Sequence, residues 1–331
     1  MTDFQAKSVS VVTIPGLSEK QDVSDFLDSG GTKEQLFELV EKSTEYKPDF
    51  LVNESDSDSE KSSSGNLSDA AKMIEFMASA ELFHTPHYEL CAYLPIKDFW
   101  QTVSLNSKDI KIWLARQFYN EYNRSPGREA ISEALRVLEA KAKFDSPEKP
   151  LFIRIAAHEG AIYIDLGDEE RTAIKVTADG WVIVTGKLPI CFRRPNGFSA
   201  LPKPQTGGSL ELLRPFINVQ EESHWRLLIG WLLGALYPDG PYPILALYGE
   251  QGSAKSTLAR LLRLLVDPSS APLRTFSRDT RDLMIAATNS WVTAFDNLSY
   301  LKMDQSDALC RLATGGGFAT RTLYENNGFV A

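Results

Sequence analysis

Tyr242-Pro243-Ile244-Leu245-Ala246-Leu247-Tyr248-Gly249-Glu250-Gln251-Gly252-Ser253-Ala254-Lys255-Ser256-Thr257-Leu258 is the stretch from which the rest of the chain is read. Residues 242–247 form an apolar run suited to a buried parallel strand, and residues 258–265 have the spacing and composition of a helix. Between them lies a loop whose small residues let successive backbone N–H groups curl round a phosphate. A lysine then reaches the β- and γ-oxygens and a hydroxyl holds Mg2+. Lys255 and Ser256 fit those two parts. Ala254 stands where the strict pattern G-x-x-x-x-G-K-[ST] has its second glycine; a methyl group is a small addition, and alanine accepts the right-handed helical backbone expected there. The plain alternative is a Gly/Ser-rich turn that happens to precede a helix.

A phosphate loop needs a partner strand that ends in a carboxylate able to hold Mg2+ through its water shell. Residues 291–296, Trp-Val-Thr-Ala-Phe-Asp, supply one, with Asp296 at the carboxyl end, where ligands gather in parallel α/β sheets. Asn297 follows, where many nucleotide-hydrolysing proteins carry a glutamate. An amide orients water but cannot take its proton, so hydrolysis would rest on positioning and metal, use a base from elsewhere, or be slow. Between Lys255 and Asp296 there is room for a helix, a short strand at 272–276 and a second helix at 280–287. A helix over 304–312 and a glycine-led hairpin over 314–327 come after.

The chain has 331 residues, enough for two or three domains, and 43% are hydrophobic. No apolar run is long enough to span a bilayer and residues 1–7 lack the pattern of an export signal, so no membrane partner and a cytoplasmic location are expected. Three cysteines (Cys91, Cys191, Cys310) and four histidines (His84, His87, His158, His224) show neither a disulfide framework nor regular zinc spacing. The net charge of −9 is carried by residues 1–69, with 15 acidic and 6 basic side chains, and the remainder is balanced. Acidity of the whole therefore does not exclude a nucleic-acid partner.

In chain order, residues 8–14 read as a strand closed by Pro15-Gly16, residues 22–25 as a turn, and residues 33–42 as an amphipathic helix capped by Thr32. Residues 53–68 are acidic and serine-rich with one apolar side chain, which reads as a disordered linker or, alternatively, a phosphorylated or partner-binding tail. Residues 70–205 read as an α+β accessory domain. It has helices at 70–80, 110–122 and 129–143, extended segments at 89–94 and 99–105, and short strands at 151–156, 161–166, 172–177 and 181–184 in an antiparallel meander. The stripe Ile110, Ile112, Trp113, Leu114, Phe118 and Tyr119 reads as core, with an aromatic nucleic-acid platform as the alternative. Lys108, Lys111, Arg116 and Arg124 are phosphate candidates or its wet face. Arg193 and Arg194 are candidates for nucleic-acid backbone or an adjoining subunit's nucleotide, against an ordinary strand end. Residues 209–213 and 221–236 read as helices, the second expected to cover the nucleotide-binding sheet.

Residues 8–45, with the 22–25 turn and the Gly30-Gly31 break, resemble the last portion of a TOPRIM domain of phage and mobile-element primases. That family's catalytic glutamate and Asp-x-Asp pair would lie upstream, so the resemblance implies that Met1 opens inside a domain. A generic β-turn-α unit is the alternative. Four further segments, in order, resemble the primase-helicase ATPases of phages and mobile elements, which are similar to superfamily 3 helicases within the AAA+ group. They are the 249–257 loop, Ser277-Arg278-Asp279-Thr280-Arg281-Asp282-Leu283, Ala294-Phe295-Asp296-Asn297-Leu298-Ser299 and Ala313-Thr314-Gly315-Gly316-Gly317-Phe318-Ala319-Thr320-Arg321. This resemblance covers residues 205–331.

It implies an α/β P-loop NTPase domain over 206–331, preceded by the accessory α+β domain at 70–205, the linker at 51–69 and the TOPRIM-like segment at 1–50. Gly249 and Gly252 would shape the loop, with Glu250, Gln251, Ser253 and Ala254 completing it. Lys255 would bind the β- and γ-phosphates of ATP, Ser256 would hold Mg2+ together with Asp296, and Thr257 would support the loop's end. Asn297 would orient water. Arg321 is a candidate for phosphate or DNA contact, or else pairs on its own surface. Single-stranded DNA and a homo-oligomeric ring are the implied partners, and the sensor strand and arginine finger are expected beyond Ala331. Two rival readings stand beside a helicase or primase-helicase. One is a P-loop small-molecule kinase, which would need an acceptor site and lid arginines. The other is a nucleotide-binding module without turnover.

Overall fold

Three helices in this chain begin at a Thr32, Ser68 or Ser107 side chain that satisfies an orphan N–H of the first turn. The computed structural model describes residues 23–28, 32–41, 67–276, 279–298 and 300–315. The expected strand at 8–14, most of the acidic linker, the hairpin beyond Gly315 and Arg321 lie outside the described residues. In the amino-terminal unit, Thr32 Oγ1 accepts from Gln35 N at 3.4 Å while Gln35 Oε1 accepts from Thr32 N at 3.0 Å. This reciprocal cap opens α2 (Lys33–Glu41) at the expected place. The expected turn at 22–25 is instead the start of α1 (Val23–Asp28), whose Val23, Phe26 and Leu27 have the one-turn spacing of a helix face.

In the second unit, Ser68 Oγ accepts from Ala71 N at 3.2 Å and opens α3 (Asp69–Phe76), so Ser68 and Asp69 belong to a helix start and not to the linker. Strands β1 (Glu81–His84), β2 (Leu90–Ile96) and β3 (Phe99–Ser104) form an antiparallel sheet in that order. They are backed by α4 (Lys108–Tyr122) and α5 (Arg128–Ala140), the latter prolonged by a π-helical turn, Lys141–Asp145. Ile110, Leu114 and Phe118, four apart on α4, are fully buried against Met73, Leu94 and Leu138, whereas Ile112 and Tyr119 are exposed. The apolar stripe therefore divides, and its i, i+4, i+8 line is core. Arg124, a phosphate candidate from sequence, is taken up by Asp69 in a two-pronged ion pair at 2.8 and 2.5 Å.

The expected meander forms as β5 (Ile155–His158), β6 (Ala161–Asp165), β7 (Ala173–Thr177) and β8 (Gly180–Val184), each antiparallel to the next. The single strand expected at 151–156 is broken into β4 (Leu151–Phe152) and β5. Arg154 between them takes a left-handed backbone (φ +61°), and its side chain is wholly buried. β4 pairs in parallel with β9 (Cys191–Phe192).

A boundary at 205/206 is not where the core divides. Ile155 and Ile164 of the meander share one apolar cluster with Trp225, Leu228 and Leu232 of α6 (Glu222–Ala235) and with Leu258, Leu262 and Val266 of α7 (Lys255–Val266). Short strands cannot bury one face alone, and these helices cover it. The segment before α6, expected as a helix over 209–213, is a 3-10 turn, Leu210–Phe216.

The buried strand expected at 242–247 is absent: the backbone there is irregular, with Ile244 58% and Tyr248 90% exposed. Among the described residues no strand pairs with it, and Pro243 withholds an N–H from any ladder. Only Leu245 and Leu247 reach the α6/α7 cluster. Likewise the strands expected at 272–276 and 291–296 shrink to β10 (Arg274–Thr275) and β11 (Phe295–Asp296), a two-residue parallel pair braced by an edge-on contact of Phe276 with Phe295. Helices α8 (Thr280–Thr288) and α9 (Met303–Ala313) follow β10 and β11 respectively. No helix among the described residues is long and apolar enough to cross a membrane.

Candidate functional site

Lys255 is the first residue of α7, and the loop before it wraps its side chain. The ammonium donates to Gly249 O at 2.9 Å, Glu250 O at 2.6 Å and Ser253 Oγ at 3.1 Å, using all three of its N–H groups. Gly249 has φ +152°, a backbone that favours glycine, and a Cβ there would stand 2.8 Å from Ser253 Oγ, so a side chain at 249 would push that hydroxyl off Lys255. The loop is steadied from outside by Asn218, whose Nδ2 donates to Ser253 O at 3.4 Å, a contact no sequence motif announces. Thr257, expected to support the loop's end, is exposed on α7 and makes no hydrogen bond from its side chain among the described residues.

Ala254 departs from the backbone expected of it. It caps α7 with φ +64° and ψ +22°, a left-handed conformation and not the right-handed one. The crowding of Cβ against the carbonyl costs an L-residue about 1–2 kcal/mol there. The glycine of the strict motif is thus missing at a position whose backbone calls for it, and the loop keeps its shape regardless.

Ser256, one residue on, donates through Oγ to Asp296 Oδ1 at 3.0 Å, although the two lie 40 positions apart. The parallel register Thr275 opposite Asp296 brings the carboxylate to the end of β11. The same Oδ1 accepts from Asn297 N at 2.9 Å, and Oδ2 has no partner among the described residues. Asn297 is exposed with φ +57°. Asparagine is among the few side chains that tolerate that region, so its identity answers to the backbone turn after Asp296.

Behind these two elements sits Asp267, buried just past the end of α7. Its Oδ2 accepts from Trp291 N at 2.9 Å and Val292 N at 3.0 Å, the start of the segment that leads to Asp296. Its Oδ1 accepts from Arg154 Nε at 3.1 Å. Arg154 also donates to Asp165 O, Ser199 O and Pro268 O and lies over the Phe198 ring at 3.6 Å. Burial pulls the Arg154 guanidinium below its ordinary value, opposed by Asp267. Arg263, also buried, donates to Asp267 O at 3.3 Å and Pro272 O at 3.2 Å. One carboxylate thus joins the meander, the end of α7 and the lead-in to Asp296.

The remaining candidates are dispersed. Arg194 is committed to Asp165 at 2.8 and 2.5 Å, and Arg193 donates to Thr288 O at 2.6 Å, so neither guanidinium is a free strand-end charge. Cys91 and Cys191 are buried; burial pushes the Cys91 thiol up to about 12 and the Cys191 thiol upward, which leaves them inert. His84 Nδ1 lies 3.0 Å from Ala142 O, and no group of three or more His, Cys, Asp or Glu among the described residues is placed to hold a metal.

Residues 210–331 match the model of a family described as actinomycete integrative conjugative element replication protein. This portion of the chain, which holds the 249–257 loop, α7 and Asp296, is therefore similar to a replication protein of a mobile element. No curated protein matches the chain.

Proposed function

We propose that the 249–257 loop and Asp296 bind Mg-ATP, and that the chain is an ATPase acting on DNA in the replication of a mobile element. The observation that carries this is the meeting of Ser256 and Asp296 beside the loop that holds Lys255. Ser256 Oγ would hold Mg2+ directly and Asp296 would hold it through its water shell, with the unpaired Oδ2 as an acceptor for metal-bound water. Bound there, the ion would neutralise charge on the triphosphate. Lys255 would exchange its loop carbonyls for phosphate oxygens, and the N–H groups at the start of α7 would add donors. The similarity of residues 210–331 to a mobile-element replication protein supports the DNA context, with single-stranded DNA and a ring of like subunits as the partners of a helicase-type motor.

A second reading, nucleotide binding without turnover, is favoured by Asn297, whose amide cannot accept a proton from water. Phosphate release from ATP, measured with and without Mg2+ and single-stranded DNA, separates the two. Mg2+-dependent release that Asp296→Ala abolishes supports the motor. Binding without release supports the second reading, and absence of both contradicts the proposal.

A further inference from the structure

A cleft of about 170 Å3 lies away from the 249–257 loop, between β3, the start of α4 and the arginines at 171, 193 and 194. Arg171 is half-buried with a left-handed backbone (φ +56°), and its guanidinium has no hydrogen-bond or ion-pair partner among the described residues. The acids that act on it are spent elsewhere. Asp165 holds Arg194 and Gly167 N, and Asp168 holds Thr172 through both its N–H and its hydroxyl. Arg193 also lines the cleft. Its Nη1 is 3.7 Å from Glu89 and its Nη2 is on Thr288 O, but its Nε is buried without a partner. That nitrogen is closed off from the cleft, so Arg193 contributes positive charge to the wall and not a donor. Ser107, whose Oγ caps α4 by accepting from Ile110 N at 3.4 Å, and Asp109 stand in the same wall.

We propose that this cleft binds a phosphate group, held by the free fork of Arg171 with the positive charge of Arg193 beside it. Arginine presents paired donors that match a phosphate edge, which a water-filled gap does not exploit. Burial, with Arg194 beside it, pulls the Arg171 guanidinium down to about 10, so it stays charged at neutral pH and gains from an anion. Size selects the ligand: pockets for whole small molecules run to about 300–1,000 Å3, and this cleft takes one phosphate, not a whole nucleotide. The phosphate can be free or a monoester, or it can belong to the backbone of single-stranded DNA. The exposed Asp109 carboxylate works against either, which gives the proposal a second, opposite handle. The assignment does not rest on the nucleotide reading of the 249–257 loop.

The test uses the full chain carrying Lys255→Ala, to silence that loop, with inorganic phosphate followed by phosphorus NMR line broadening and an unphosphorylated oligothymidylate followed by fluorescence anisotropy. Arg171→Gln should weaken one of these ligands by about tenfold, the scale of one charge-assisted hydrogen bond, and Arg171→Lys should fall between. Asp109→Asn should tighten the same ligand by about threefold, the scale of an exposed charge pair. Loss confined to phosphate assigns the free or monoester source, and loss with the oligothymidylate assigns the strand. A folded Arg171→Gln chain that binds both ligands as before overturns the proposal. Should that variant not fold, unchanged affinity for both ligands in Asp109→Asn overturns it equally.

Discussion

Ser256 Oγ and Asp296 Oδ1 are hydrogen-bonded at 3.0 Å, and the same oxygen accepts from the N–H of Asn297 at 2.9 Å. The first residue comes from the opening turn of α7 and the second from the end of β11. Their meeting depends on a two-residue parallel ladder and on Asp267, which ties the far end of α7 to the segment leading into β11. The candidate site is therefore only as firm as these few supports.

Ala254 holds a left-handed backbone that glycine adopts freely. Ala254→Gly relieves the Cβ crowding but gives the unfolded chain more freedom, and the net is a gain of about 0.5–1 kcal/mol. Urea denaturation of the two proteins checks this; a loss of stability would show that the loop does not carry that strain.

Asn297 carries the left-handed turn that aims the Asp296 carboxylate. Asn297→Glu, which supplies the carboxylate that many ATPases have there, should cost about 1 kcal/mol of stability, while Asn297→Gly should be neutral within a few tenths. Equal stability of the glutamate variant would mean that the turn places no demand on the side chain.

Asp267→Asn removes the charge that Arg154 is buried against and replaces one acceptor oxygen by a donor facing backbone N–H groups. Breaking a buried pair in this way costs about 3–5 kcal/mol. The denaturation midpoint should fall accordingly. A loss under about 1 kcal/mol would show that Asp267 is not the joint described.

Glu81 on β1 accepts from Lys149 at 2.8 Å and from Lys187, and these two ammonium groups hold its carboxyl below the ordinary 4.5. A carboxyl depressed in the folded state adds stability above its unfolded value and loses it as pH falls through the folded one. Stability measured from about pH 6 down to about pH 3 should therefore fall less steeply in Glu81→Gln than in the unsubstituted protein below about pH 4.5. Parallel curves would contradict the pairing.

Local periodicity carried much of this fold into the sequence. Ile110, Leu114 and Phe118 announced α4, and the turns at 158–160 and 179–180 announced the meander, because a helix face or a hairpin is a property of a few consecutive residues. The position of the 249–257 loop ahead of α7 is local in the same sense, whereas the approach of Asp296 to Ser256 across 40 positions is not. What was not legible depends on distant partners. An apolar run such as 242–247 becomes a buried strand only if other strands flank it. The Arg154–Asp267 pair spans 113 positions, and the break it imposes between β4 and β5 has no local signal. The left-handed backbone of Ala254 was hidden because alanine is not the residue that such a position asks for.

The most direct test of the central claim is equilibrium titration of the intact chain with ATP in the presence and absence of Mg2+, alongside Lys255→Ala. Binding should depend on Mg2+, and loss of the ammonium should weaken it by about 2–4 kcal/mol, the range for removing one partner of a desolvated charge pair. Unchanged affinity in a Lys255→Ala chain with an unaltered circular dichroism spectrum would contradict a phosphate-binding role for the 249–257 loop.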